Sequence, residues 1–229
     1  DSKAFTALFL QSYKMRDEAN QAFLSERLSE AIAKQREHLG IETERHSKRE
    51  AAIKSTISRF HEALLERYPE LAKENELRIL VKYGAAHTAL YRHAKKVGFG
   101  EVKREITKPF YFGASHIHIR RGTFGKPLNY SDEEVAKTLL SDQLGIYADI
   151  LGVNFSNSSA YGNLLARKTN IRKIKIISKI LGENRSGSSL AALSNGFKSA
   201  FARTGIKLAK TKEEVHSFLE KRRIPLAPV

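Results

Sequence analysis

Leu77–Phe99, LRILVKYGAAHTALYRHAKKVGF, carries the clearest change of pattern in the chain, from an apolar run through a small-residue turn to a helical spacing. Leu77–Tyr83 is a short apolar and β-branched run suited to a strand, and it stops at Gly84. Residues 87–97 (HTALYRHAKKV) then read as a helix closed by Gly98 and Gly100. Glu101–Thr107 (EVKREIT) alternates like a half-exposed strand, which completes a βαβ-like unit with the right-handed crossover such units adopt. Ser115–Arg120, SHIHIR, alternates again and reads as a third strand.

Helices are expected on both sides of this centre. Apolar positions Phe23, Leu24, Leu28, Ile32 and Ala33 mark one from Asp17 to about Leu39 that stops at Gly40. A second runs from Thr43 to Arg67, and the two are expected to pack as a hairpin. Ser131-Asp132-Glu133-Glu134 spells a capping box that opens a helix to about Leu151. Asn154–Ser159 and Gly182–Ser189 read as loops, with a basic helix between them from about Tyr161 to Leu181, although the β-branched run Ile171–Ile180 also suits a strand. A further helix near Leu190–Arg203, an edge strand at Gly205–Ala209 and a short helix after Thr211 complete the chain. The expectation is a helix-rich α/β fold: a small central sheet, mostly parallel or mixed, flanked by helices, with a basic, mainly helical C-terminal third. Residues 1–129 would form the α/β core and 130–229 the basic region packed on it.

The 229 residues carry 40 Lys+Arg against 25 Asp+Glu, a formal charge of +15, and 41% of them are hydrophobic, ample for a packed core. Zero Cys excludes disulfide scaffolds, thiol catalysis and Cys-ligated metal centres. No run approaches the roughly 18 apolar residues of a membrane span, so the chain reads as soluble; the compartment is not fixed by the sequence, with the cytoplasm favoured. It opens at Asp1 without a Met, which leaves open whether a segment precedes it. The charge is uneven: residues 1–150 net +4, residues 151–229 net +11. Arg167, Lys168, Arg172, Lys173, Lys175 and Lys179 crowd one stretch and are the candidate contacts for nucleic acid or another polyanion. Phe155, Tyr161, Phe197, Phe201 and Phe218 interleave with this region as candidate base-stacking groups, although helix-spaced aromatics such as Phe197 and Phe201 more often belong to a core.

In an open α/β sheet, ligands collect where strands hand over to helices, and Gly84-Ala85-Ala86-His87 would occupy that position. The small residues leave room for a substrate at Gly84 and Ala85. His87 at a helix start would stay neutral and serve as general base or metal ligand. Arg16 is suited to a bound oxyanion, and Asp17 or Glu18 to orienting an imidazole or taking a proton. The segment Leu77–Phe99 resembles the strand–GxxH–helix–Gly segment of the superfamily joining erythromycin esterases, the haem-uptake protein ChaN and the TIKI/TraB proteins. Arg16-Asp17-Glu18 is similar to the Arg-Asp element that precedes it there. The resemblance implies a hydrolase in which His87 serves as base or ligand, Gly84 admits substrate and Arg16 stabilises charge. The first GxxH of that group is absent, and Gly113-Ala114-Ser115-His116 has its spelling but comes afterwards.

On a strand, His116 and His118 would share one face and could chelate a divalent metal, the one cofactor these residues point to. This pair resembles the His-hydrophobic-His motif of replication-initiator and relaxase nucleases. The companion Tyr–Lys spacing occurs only upstream, at Tyr91 and Lys95. Walker A, GxGxxG, HExxH and GxSxG sequences are missing. The sequence is thus compatible with three functions: a small-molecule or ester hydrolase, a non-catalytic nucleic-acid or polyanion binder, and a metal-dependent nuclease.

Overall fold

The computed structural model describes residues 2–73, 88–96, 101–103, 113–126, 128–184 and 190–227. Two compact units divide the chain: residues 1–43 with 108–229, and residues 44–107. Nine α-helices lie among the described residues: α1 (Ser2–Phe23), α2 (Leu28–Arg67), α3 (Thr88–Lys96), α4 (Ala114–Thr123), α5 (Asp132–Ile150), α6 (Phe155–Arg167), α7 (Ile171–Glu183), α8 (Leu190–Thr204) and α9 (Lys212–Glu220). No strand is found among them, so the protein is helical, and the expectation of an α/β fold with a central sheet is corrected. The strand expected at Leu77–Tyr83 and the Gly84–His87 turn lie outside the described residues, as do residues 104–107 of the second expected strand.

Ser115–Arg120 is part of helix α4, not a strand. Its alternation spans only six residues, and the burial of Ala114, Ser115 and Ile119 in one helix overrides it. The β-branched run Ile171–Ile180 is likewise helical: Ile174, Ile177 and Leu181 recur at three and four residues and turn inward together. Gly205–Ala209 leaves α8 without helix or strand. Its backbone is satisfied another way, since Tyr161 Oη accepts from Ala209 N at 2.9 Å and Tyr147 Oη donates to Ala209 O at 2.7 Å. Both tyrosines are fully buried. Tyr161→Phe would leave that amide without an acceptor, which costs about 1–3 kcal/mol. The expected result is a fall in thermal midpoint of roughly 2–12 °C, and an unchanged melting curve would refute the role.

Gly40 does not end a helix. α2 runs through it to Arg67, and the hairpin is made instead by α1 and α2 around residues 24–27, where Glu26 takes φ 64°. Glu18 pairs with Lys34 at 2.7 Å and Ser12 meets His38 at 3.0 Å, a pairing that runs the two helices antiparallel. The segment Asn154–Ser159 is not a loop either: Asn154 caps α6 by accepting from Asn157 N. The single basic helix expected over 161–181 is two helices, because Asn170 accepts from Lys173 N and restarts the chain as α7. The capping box at Ser131 is present in full.

The core lies in the first unit. Ala19, Ala22 and Phe23 of α1 and Ala31 and Ile32 of α2 meet α5, α6, α7, α8 and α9 in one apolar cluster. Its centre is the α5–α6 pair, antiparallel and unusually close, with Gly145 against Ser158 and Gly162 against Ser141. The second unit holds the rest of α2 from Glu44, a short 3-10 turn at Pro69–Lys73, and α3. No described helix is long and apolar enough to cross a membrane.

Candidate functional site

His87, Gly84 and Ala85, the centre of the hydrolase expectation, lie outside the described residues. Arg16, Asp17 and Glu18 sit in mid-helix on α1 rather than at a helix start. Asp17 is largely exposed and 3.8 Å from Arg16, and Glu18 is held by Lys34, which keeps its carboxyl below the usual range. Asp17 and Glu18 are therefore engaged in surface ion pairs.

Arg16 has more to act on. Its charge reaches both His38 and Asp142. His38 Nδ1 lies 3.0 Å from Ser12 Oγ and 3.1 Å from the Ser12 carbonyl oxygen. A carbonyl only accepts, which assigns the hydrogen to Nδ1. His38 therefore does not take a proton from Ser12 there; the contact fastens α1 to α2. Burial pushes the imidazole pKa down, so His38 is neutral in the core. Ser115 Oγ donates to Asp142 Oδ2 at 2.7 Å, and Gln35 Nε2 donates to Ser115 Oγ at 3.0 Å and Thr138 Oγ1 at 3.1 Å. Burial pushes the Asp142 carboxyl up to about 6, against the opposing pull of Ser115 and Arg16. Sequence reasoning misses this polar network, because its members are scattered over α1, α2, α4 and α5.

His116 and His118 do not share a face. Two residues along a helix differ by about 200° in direction, so the chelating geometry that a strand would supply is lost. His116 is exposed, and its charge reaches His38. His118 is half-buried, packed edge-on against Tyr130 with ring centres 4.1 Å apart. No group of three or more His, Asp or Glu placed to hold a metal occurs among the described residues.

The basic stretch is the best-defined surface. On α7, Arg172, Lys175 and Lys179 recur at three and four residues on the side opposite the buried Ile174, Ile177 and Leu181. Arg167 and Lys168 are exposed at the α6–α7 junction, and Lys173 is half-buried. Lys179 has one acidic neighbour, Glu183, at 3.9 Å; the other five make no ion pair among the described residues. Between residues 151 and 182 there is no Asp or Glu at all. Of the aromatic candidates, Tyr161, Phe197 and Phe201 are buried in the core and therefore do not stack on bases, whereas Phe155 is 62% exposed. Phe218 is covered by the Arg222 guanidinium, 3.6 Å above its ring.

A concavity of about 260 Å³ adjoins this ridge. Its rim carries His118 and Arg121 of α4, Glu134 and Lys137 of α5, and Asn163 and Arg167 of α6. No protein-family model, curated protein or solved structure matches the chain.

Proposed function

We propose that the protein binds nucleic acid through the phosphate backbone, with the outer face of α7 as the contact ridge. One observation carries this reading: Arg172, Lys175 and Lys179 form an exposed basic stripe on α7, with Lys168 exposed just before it, in a stretch without a single acidic residue until Glu183. Exposed like charges at helical spacing repel one another, and a polyanion relieves that repulsion while releasing its own counterions. With about four phosphates contacted, affinity falls on the order of 10²-fold between 50 and 200 mM salt. The test is fluorescence anisotropy with short single-stranded and duplex DNA and RNA across that range. Arg172→Gln with Lys175→Gln is expected to reduce the log–log salt slope by about two and to weaken every sequence alike. Its thermal midpoint should not move, because both side chains are exposed. Binding that ignores salt, or that survives the double variant unchanged, refutes the reading.

A second reading, the hydrolase implied by the family resemblance, is favoured by one observation. Arg16 lies within electrostatic reach of Asp142, whose carboxyl burial pushes up to about 6, toward the range of a general acid or base. It requires ester or phosphoester hydrolysis that is lost in Arg16→Met and persists in Arg172→Gln with Lys175→Gln.

A further inference from the structure

The concavity beside α7 is built differently from the ridge. Three helices each contribute a cation to it: Arg121 from α4, Lys137 from α5 and Arg167 from α6. Lys137 is neutralised by Glu133 at 2.6 Å. Glu134 is tied into the helix cap, accepting from Ser131 N at 2.8 Å and from Ser131 Oγ at 2.9 Å. Arg121 and Arg167 remain: both line the same space without an ion pair among the described residues, and the charge of the Glu134 carboxylate reaches Arg121 from the same rim. A guanidinium fork matches the paired oxygens of a phosphate, and two forks match the double charge of a phosphomonoester near neutral pH.

The rest of the lining indicates what the phosphate is attached to. A volume of about 260 Å³ exceeds that of a lone phosphoryl group and leaves space for a sugar. Glu134 and Asn163 offer acceptors of the kind that take hydrogen bonds from sugar hydroxyls. Ala114, Ile117 and Ala166 line it with apolar surface. The concavity is linked to the ridge through the chain rather than through a shared wall, since its lining comes from α4, α5 and α6. Glu133, which holds Lys137, accepts from Ile171 N at 3.3 Å at the start of α7, and Arg167 leads directly into Lys168 and Arg172.

We propose that this concavity binds the terminal sugar phosphate of a nucleic-acid strand whose backbone runs along α7. The inference rests on the nucleic-acid reading above. An internal diester carries one charge and must continue on both sides, whereas a strand end brings two charges and can terminate in a recess.

The test compares single-stranded oligonucleotides of one sequence bearing a 5′-phosphate, a 3′-phosphate or hydroxyls at both ends. One phosphorylated end is expected to bind about tenfold more tightly than the hydroxyl form, the size of a charge-assisted paired contact. Arg121→Gln, and separately Arg167→Gln, should abolish that preference. Arg172→Gln with Lys175→Gln should weaken all three strands equally. A nucleoside monophosphate should compete only for the preference. If the monophosphate alone binds as tightly as the phosphorylated strand, through Arg121, the free nucleotide is the occupant and the strand-end assignment is overturned. Equal binding of all three oligonucleotides overturns the inference and leaves the nucleic-acid reading intact. Loss of all oligonucleotide binding removes that reading, and with it the strand end as ligand.

Discussion

Gly162→Ala is expected to lower the unfolding free energy by about 3 kcal/mol, at the upper end of what overpacking costs. A methyl group on Gly162 would collide with the Ser141 carbonyl oxygen and stand 3.0 Å from Gly145 N. Both obstacles are backbone atoms of α5, so no side chain can swing aside, and the helices would have to separate along their whole contact. Tyr147 and Tyr161, which project from these two helices to hold Ala209, would be displaced with them. For a chain of this length the loss corresponds to a fall in thermal midpoint of roughly 6–12 °C. Gly145→Ala supplies the contrast. Its Cβ would meet only the Ser158 carbonyl oxygen, at 4.0 Å, an ordinary contact. There the usual preference for alanine within a helix applies, and the variant should be neutral or stabilised by up to about 1 kcal/mol. Equal melting temperatures for the two variants would show that α5 and α6 are not in this register.

Asp142→Asn is expected to stabilise the protein at neutral pH, and to do so only above the acidic range. In the fold the carboxyl titrates near 6, raised by burial from an ordinary value of 3.8. The folded state therefore holds its proton more tightly than the unfolded chain does. Below about pH 4 both states are protonated and the group costs nothing. As pH rises from there to 6 the unfolded chain ionises first, and stability falls by on the order of 2–3 kcal/mol. Asparagine keeps an oxygen to accept from Ser115 and carries no charge, so the gap between variant and wild type should open across that interval and stay constant above it. Taking the difference also isolates Asp142 from His38. That imidazole, depressed by burial, acts in the opposite sense, withdrawing stability as pH falls through the ordinary histidine range near 6.5. Urea titrations at pH 4 and pH 7.5 measure the gap. A gap of the same size at both values would show that this carboxyl is not desolvated.

The legible parts of the chain were those where chemistry is settled within a few residues. Ser131 and Glu134 satisfy each other's amides three residues apart, and they open α5 where the sequence places the start. The helix over residues 88–96 follows in the same way from its own spacing. Short alternation was not legible. His116, Ile117, His118 and Ile119 suit a strand or a helix equally over so few residues, and no partner strand is present among the described residues to exploit the first choice. Glycine misled at Gly40, which lies within α2 with nothing within 4 Å of where its Cβ would stand. At Asn170 the opposite happened: one capping side chain, unremarkable in the sequence, divides an expected helix into α6 and α7 and thereby creates the junction where Arg167 and Lys168 stand.

From the order of its residues alone, this protein's charge asymmetry, its supply of apolar side chains and the start of α5 were determined, since each depends on composition or on residues close together in the chain. Its helical architecture was decided by packing, because the same short apolar runs become strand or helix according to what they are buried against. The same holds for the recess that brings together Arg121, Lys137 and Arg167, residues from three helices whose juxtaposition depends on how closely Gly162 allows α6 to approach α5. Backbone contact at that distance is a property of two surfaces meeting, and neither helix encodes it by itself.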